Sequence, residues 1–415
     1  MQHPIKFPTH GTAAPDVLAA LAAMSENDAD WRHGRVPLYV FAADESLSTL
    51  GRDAFNLYFT ENALGGKRAF PSLRRMEDDV IAMTLDLFNA PPGAVGHMSS
   101  GGTESILLAV KACRDHARAT RQNPTHRGNL VLPDTAHPAF EKAALLMDLP
   151  IRRIQVRPDL RADPAAMEQA IDADTILLVG SVPCFPYGVV DPIPDLSDIA
   201  ARHNIWLHID ACVGGYFAPF ARNLGRPIPS FDFANPAVTS LSADLHKFGF
   251  CPKPASTVFF RTPTHAAGCG YDLNVWPNGR FATSTLVGTR PGGAVASAWA
   301  VLTHLGRPGY EAIATRLLAM ADSYVEGITA IQGMQVFGKP DLSILAFGAP
   351  TRDMQAIANF MASRAWIPGL VSHPPGLHLM LSLLHEPARP EYLTDLAAAV
   401  AAAPASNNAS VAAVY

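Results

Sequence analysis

The chain has few cysteines for its length, no long apolar run, little charge imbalance and no internal repeat. Its five cysteines, Cys113, Cys184, Cys212, Cys251 and Cys269, are scattered without a CxxC pair. That pattern suggests neither a zinc site nor a disulfide framework and fits a reducing, cytoplasmic compartment. No segment offers an uninterrupted apolar run of about 18 residues, and residues 1–10 carry Pro4 and Pro8 with no apolar core. A soluble protein without a transmembrane segment is expected. Lys and Arg total 32 against 37 Asp and Glu, a net charge of −5, so nothing electrostatic points to nucleic acid. Small molecules are the expected partners.

What is present is an ordinary globular composition, 48% hydrophobic and 17% charged, in 415 residues. That length suits a large domain plus a smaller one. Residues 1–60 hold a helix candidate, Pro15 to Met24, and an aromatic stretch from Trp31 to Phe59 without clear periodicity. They are expected to form an arm packing on another domain or subunit. Across 61–293, short apolar or β-branched runs (Asn129 to Leu132, Thr175 to Gly180, Ile205 to Asp210, Val238 to Ser242, Thr257 to Phe260) alternate with helix candidates such as Thr103 to Ala119 and Asp195 to His203. The alternation predicts an α/β domain with a mostly parallel sheet. Residues 294–415 change to a long helix, Ala294 to Leu305 then Gly309 to Ile331, followed by mixed segments, a smaller α+β domain. The tail from Ala397 reads as a frayed helix or disorder.

Three constellations carry chemistry. Ser99-Ser100-Gly101-Gly102-Thr103-Glu104-Ser105 joins a strand to a helix, and its glycines and unpaired N–H groups suit a phosphate, although Thr103 could be an ordinary helix cap. His208-Ile209-Asp210-Ala211-Cys212-Val213-Gly214-Gly215 ends a strand on a carboxylate, which could pair with a protonated pyridine nitrogen or simply cap a helix. Ser240-Leu241-Ser242-Ala243-Asp244-Leu245-His246-Lys247-Phe248 places a lysine among apolar neighbours, where desolvation would lower its pKa and favour imine formation with an aldehyde. Together they fall on what read as three successive strand-to-helix crossings. They match the three anchoring points of pyridoxal 5′-phosphate, with His137 in Asp134-Thr135-Ala136-His137-Pro138 available to stack on the ring.

At this point the sequence resembles the group II pyridoxal-phosphate decarboxylase superfamily, and within it the sphingosine-1-phosphate lyase branch. The likeness is carried by SSGGTESILLAVKACRD, DTAHPAFEKAA, HIDACVGGYFAPF, SLSADLHKFGFCPKPAST, WPNGRFATSTLVGTRPGG and LHLMLSLLH, and extends from about Asn62 to about His385. The resemblance implies the aspartate-aminotransferase-like fold (fold type I), with a seven-stranded large domain. It implies Lys247 as the Schiff-base lysine, Asp210 on the pyridine nitrogen and His137 on the ring face. Gly101, Gly102, Thr103, Ser242 and His246 would surround the phosphate. Gly288 and Thr289 would reach in from a second subunit of a homodimer, and Asn62, Lys253, Arg280, Phe281 and Arg290 would lie on the substrate side.

The implied reaction is retro-aldol cleavage of a phosphorylated β-hydroxyamine to an aldehyde and phosphoethanolamine, with Lys247 or His246 handling protons. The alternative is decarboxylation of an amino acid, or aldol cleavage of a non-phosphorylated β-hydroxy amino acid. Two departures bear on that choice. Where the lyases read Asn-Pro-Leu-His, this chain reads Asn62-Ala63-Leu64-Gly65, losing a histidine expected at the substrate phosphate. Where they carry a tyrosine after the Trp-Pro-x-Gly turn, it has Arg280-Phe281. Arg280 or Lys67 is the expected compensation.

Overall fold

The computed structural model describes residues 6–406. An exposed helix α1 (Ala14–Met24) comes first, then α2 (Glu45–Leu57) and α3 (Pro71–Leu87). The chain then alternates through β1 (Val95–Ser99), α4 (Gly102–Thr120), β2 (Asn129–Pro133), α5 (Ala139–Met147), β3 (Ile151–Ile154), α6 (Pro164–Gln169), β4 (Thr175–Ser181), α7 (Ile193–His203), β5 (Trp206–Asp210), α8 (Ala218–Asn223), β6 (Val238–Ala243) and β7 (Ser256–Phe260). Helix α9 (Pro263–Ala266) and a hairpin of β8 (Tyr271–Trp276) and β9 (Gly279–Thr283) lead into α10 (Gly292–Ala330). Strands β10 (Gln335–Val336) and β11 (Ile344–Gly348), helix α11 (Met354–Ser363), strands β12 (Gly369–Ser372) and β13 (Pro375–Met380) and helix α12 (Arg389–Ala402) complete it.

Seven strands form one sheet in the order β1-β7-β6-β5-β4-β2-β3. Every pairing from β6 to β3 is parallel, while β7 runs antiparallel to both β6 and β1. Six strands therefore share one direction and β7 alone opposes them. Each of β2, β4, β5 and β7 is buried along its whole length. A strand covered on both faces reads as a continuous apolar run rather than an alternating one, which is why the sequence shows these segments plainly. Helix α4 buries Ile106, Leu108 and Ala109 against the sheet; each enclosed aliphatic chain of leucine size contributes about 1.5–3 kcal/mol.

The second sheet, β10-β11-β13-β12, is antiparallel throughout. Residues 35–38 run beside it: Ile367 N–H donates to Arg35 O (2.9 Å) and Met380 N–H to Pro37 O (2.8 Å). The expected break in the long helix is real. Gly306 leaves helical geometry at φ 52°, ψ −173°, two residues before Pro308.

Two expectations change. The stretch from Trp31 to Phe59 is not irregular throughout, because it contains α2, capped by the Asp44 side chain accepting from Leu47 N–H at 2.8 Å. This helix packs on α10, where Ser297 Oγ donates to Gly51 O at 2.7 Å. The tail stays helical to Ala402, and residues 407–415, which share that expectation, lie outside the described residues.

Candidate active site

Because β1, β5 and β6 run the same way, their carboxyl ends meet at one edge of the sheet, where open α/β sheets bind ligands. Gly101 and Gly102 follow β1, Asp210 is the last residue of β5, and Lys247 lies in the turn after β6. The three crossings are not successive as the sequence suggested, since β2, β3 and β4 come between the first and second. They meet because the sheet order returns β1 to the neighbourhood of β6, with only β7 between.

The glycine turn opens α4 without a side-chain cap. Gly101 is the N-cap residue in an extended conformation, so Thr103 is an exposed second helical residue rather than a cap. Uncapped N–H groups and the positive end of a 19-residue helix suit an anion. Of the two glycines, Gly102 has no spare room, whereas Gly101 does. A Cβ on Gly102 would stand 2.8 Å from Cys212 Sγ and 2.9 Å from Asp244 Oδ2, and one on Gly101 would stand 3.6 Å from His246 Cε1. Buried Glu104 fastens the turn: Oε2 accepts from Ser100 N–H (2.7 Å) and its hydroxyl (2.6 Å), and Oε1 from Leu286 N–H (3.0 Å). The loop bearing Gly288 and Thr289 is thereby tied to the glycine turn.

Lys247 does not have the apolar surroundings its sequence neighbours implied. Burial works against its charge, but the Asp244 carboxylate, 3.0 Å from Nζ, outweighs burial with help from Asp210, and the pKa is raised instead of lowered. His246 accepts Ala255 N–H at Nδ1 (3.1 Å), so its proton sits on Nε2, 3.7 Å from Asp244 Oδ2. His137 likewise accepts Ala139 N–H at Nδ1 (3.1 Å). Burial lowers the pKa of both rings, which keeps them neutral near pH 7. Asp210 is 7% exposed and accepts Cys212 N–H at 3.1 Å. Ser242 is fully enclosed, its hydroxyl meeting His208 Nε2 (3.2 Å) and the Cys212 thiol (3.3 Å).

His137, His246, Lys247 and Lys253 line one cavity of about 1380 Å³, walled by Leu38, Phe41, Leu160, Phe185, Leu370 and Met380. Thr135 also lines it, is 5% exposed, and its hydroxyl has no hydrogen-bond partner. An enclosed hydroxyl is costly unless a ligand atom completes it. Lys253 has no carboxylate partner among the described residues, and burial, then Lys247, lowers its pKa. A lysine beside two neutral histidines, an uncapped helix start and a strand-end carboxylate is a donor set that fits pyridoxal phosphate.

The remaining predicted residues lie elsewhere in this chain. Gly288 and Arg290 line a separate cavity of about 790 Å³, and Arg290 is held by both oxygens of Glu77 (2.5 and 3.1 Å). Asn62 joins that group, donating to Thr289 Oγ1 at 3.3 Å and accepting from Arg290 N–H at 3.3 Å. Phe281 packs edge-on against Trp276 with centroids 5.9 Å apart. Exposed Arg280 is bound to Asp272 across the hairpin, so within this chain it does not compensate for the absent histidine. Sequence reasoning missed Asp244, Glu104 and Thr135, although all three stand inside motifs it had singled out.

The pyridoxal-dependent decarboxylase conserved domain matches residues 31–349. The chain is 36% identical to the sphingosine-1-phosphate lyase of Oryza sativa over 94% of this chain and 73% of that protein. It is 33% identical to a probable L-aspartate decarboxylase of Pyrococcus furiosus over 89% and 95%. The solved Burkholderia pseudomallei sphingosine-1-phosphate lyase superposes with a TM-score of 0.92 at 35% identity, covering 96% of this chain and 93% of that one. Lactobacillus brevis glutamate decarboxylase, 17% identical with a TM-score of 0.84 over 97% of this chain and 95% of that one, shares the fold. With the fold, the site and these likenesses in agreement, the chain belongs to the pyridoxal-dependent decarboxylase family, in its sphingosine-1-phosphate lyase-like branch, and is a fold-type-I, pyridoxal-phosphate-dependent lyase.

Proposed function

We propose that this enzyme cleaves the Cα–Cβ bond of a phosphorylated, long-chain β-hydroxyamine of the sphingosine 1-phosphate type, giving an aldehyde and phosphoethanolamine. The observation that carries this reading is the sharing of one apolar-walled cavity by Lys247 and an unpaired cation, Lys253. Such a cavity suits a substrate with an anionic head and an aliphatic tail. Lys247 would hold the cofactor's aldehyde carbon and Asp210 the proton on its ring nitrogen. His137 would lie on the ring face, and Gly101, Gly102, Thr103 and His246 Nε2–H would surround the phosphate. When bound, pyridoxal phosphate supplies a ring that takes up the electron pair of the breaking bond.

His246 presents a proton, not a lone pair, at Nε2. That leaves Lys247 Nζ, once displaced by the substrate amine, as the group positioned to take the β-hydroxyl proton. Sphingosine 1-phosphate incubated with the holoenzyme should release a long-chain aldehyde, and Lys247→Ala should not. No aldehyde from this or shorter phosphorylated amino alcohols would overturn the reading. Amino-acid decarboxylation is the second reading, favoured by the likeness to the aspartate decarboxylase and by Gly65. Carbon dioxide release from aspartate without aldehyde release would establish it.

The same proposal includes a cytoplasmic homodimer. Val275 and Trp276 of the β8–β9 hairpin, Leu286 after it, and Leu57 and Phe59 at the end of α2 are exposed apolar residues, and exposed apolar surface supports association. A second copy there would bring Gly288, Thr289 and Arg290 to the partner's site. Among the described residues no helix is long and apolar enough to cross a membrane, and all five cysteines are buried free thiols.

A further inference from the structure

Asp244 is a buried carboxylate that the reaction outlined above does not use. It is 2% exposed. Its Oδ2 lies 3.0 Å from Lys247 Nζ and 3.7 Å from His246 Nε2, and its Oδ1 accepts the Ser256 hydroxyl at 2.5 Å. Ser256 Oγ is in turn 2.8 Å from Ser105 Oγ in α4, and Asp244 N–H donates to Cys212 O at 3.2 Å. The carboxylate is thus held by Ser256 of β7, itself braced by Ser105 of α4, while the backbone is tied to Cys212 after β5, and its remaining partners are Lys247 and the His246 ring. A carboxylate at this depth is costly unless an opposite charge answers it. The fixed position also accounts for Gly102, since any side chain there would press on both oxygens.

We propose that Asp244 is the counter-ion that receives Lys247 whenever Nζ is not bonded to the cofactor, holding the free lysine as an ammonium in place for return. This rests on the reading that Lys247 bonds the cofactor. The pairing has two chemical effects. A lysine displaced as a neutral amine is made a stronger proton acceptor, which favours its taking the substrate's β-hydroxyl proton. Capturing the cofactor anew is slowed, because only the neutral amine attacks an aldehyde. The ammonium must first shed a proton. The amine pair then forms the C–N bond as the carbonyl pair moves to oxygen, and that oxygen departs as water. The other titratable groups facing Lys247 are Asp210 and Cys212 after β5, His137 before α5, and His246 and Lys253 on its own loop. None of these is in an ion pair with Nζ among the described residues, whereas Asp244 is, at 3.0 Å.

Cofactor-free protein mixed with pyridoxal 5′-phosphate, followed by visible absorbance across pH, reads the lysine directly. In Asp244→Asn the pH of half-maximal capture rate should fall by about one unit or more, equivalent to roughly tenfold more neutral amine at fixed pH. A profile superimposable on that of the wild type would overturn the proposal. A melting cycle on cofactor-free protein decides the pairing independently of folding defects in the single variant. Lys247→Met should melt below wild type because it strands the carboxylate, and Lys247→Met with Asp244→Asn should recover at least half of the loss. A double variant no more stable than Lys247→Met would also overturn it. Wild-type protein that captures no cofactor would refute the assignment of Lys247 and leave the melting cycle to judge the ion pair.

Discussion

At the residue scale the site depends on close approaches that admit little change. Gly102→Ala would force a methyl group against Cys212 Sγ and Asp244 Oδ2. The expected result is a loss of about 1–3 kcal/mol of stability, with cofactor affinity reduced at least about tenfold through displacement of the first α4 N–H groups. Denaturant unfolding and pyridoxal phosphate titration measure the two effects separately. Lys253→Gln should raise KM for a phosphorylated substrate about tenfold, the worth of one charge-assisted contact, and leave cofactor affinity unchanged. A KM left as in the wild type would remove Lys253 from substrate recognition. That Gly101, Gly102, Asp210 and Lys247 meet at one edge of the sheet was legible in the sequence, because small residues, a strand-end carboxylate and a lysine occur in one order. Asp244 and Glu104 were not, since a carboxylate takes its meaning from partners such as Lys247 Nζ and Leu286 N–H, which only the fold supplies. The pKa of Lys247 was misread for the same reason. Leu245 and Phe248 stand near it in sequence, but the carboxylate of Asp244 touches it in space.

At the scale of elements, the parallel strands announced themselves and α2 did not. Ser46, Ser48, Thr49, Gly51 and Asn56 are weak helix formers, and the aromatic residues around them have no helical spacing. Tertiary packing of Leu47, Gly51 and Ala54 overrides that propensity. Asp44→Ala, which removes the cap from Leu47 N–H, should therefore cost about 1 kcal/mol, read as a lowered unfolding midpoint with an unchanged slope. A second element-level joint links the two sheets. Arg161 grips Asp341 with both terminal nitrogens (2.8 and 3.1 Å), and Asp341 also accepts Val190 N–H at 2.7 Å. Arg161→Met leaves that enclosed carboxylate without its cation, an expected loss of about 3–5 kcal/mol, which calorimetry would show as a lowered melting temperature.

For the whole molecule, acid weakens the fold through its buried histidines. His208 and His378 are fully enclosed, and burial pushes each ring from its ordinary 6.5 down to about 4. The native state therefore binds these protons less readily than the unfolded chain. Their contribution is complete above pH 6.5 and is lost as the pH falls towards 4, by about 3 kcal/mol for each ring. Unfolding midpoints measured between pH 7 and pH 4 should fall steeply, and His208→Gln should flatten the slope. A midpoint independent of pH over that range would contradict the burial of neutral rings.

The cavity wall brings together residues far apart in sequence, with Leu38 and Phe41 lining the pocket that holds Lys247 together with Leu370 and Met380. Residues 35–38 are fixed by hydrogen bonds to Ile367 and Met380, which leave the ribosome long after the lysine does. The nascent chain therefore carries its reactive amine in an unwalled site until the second sheet has emerged. The enclosure of the pocket thus reports that the chain has been made through to its second sheet.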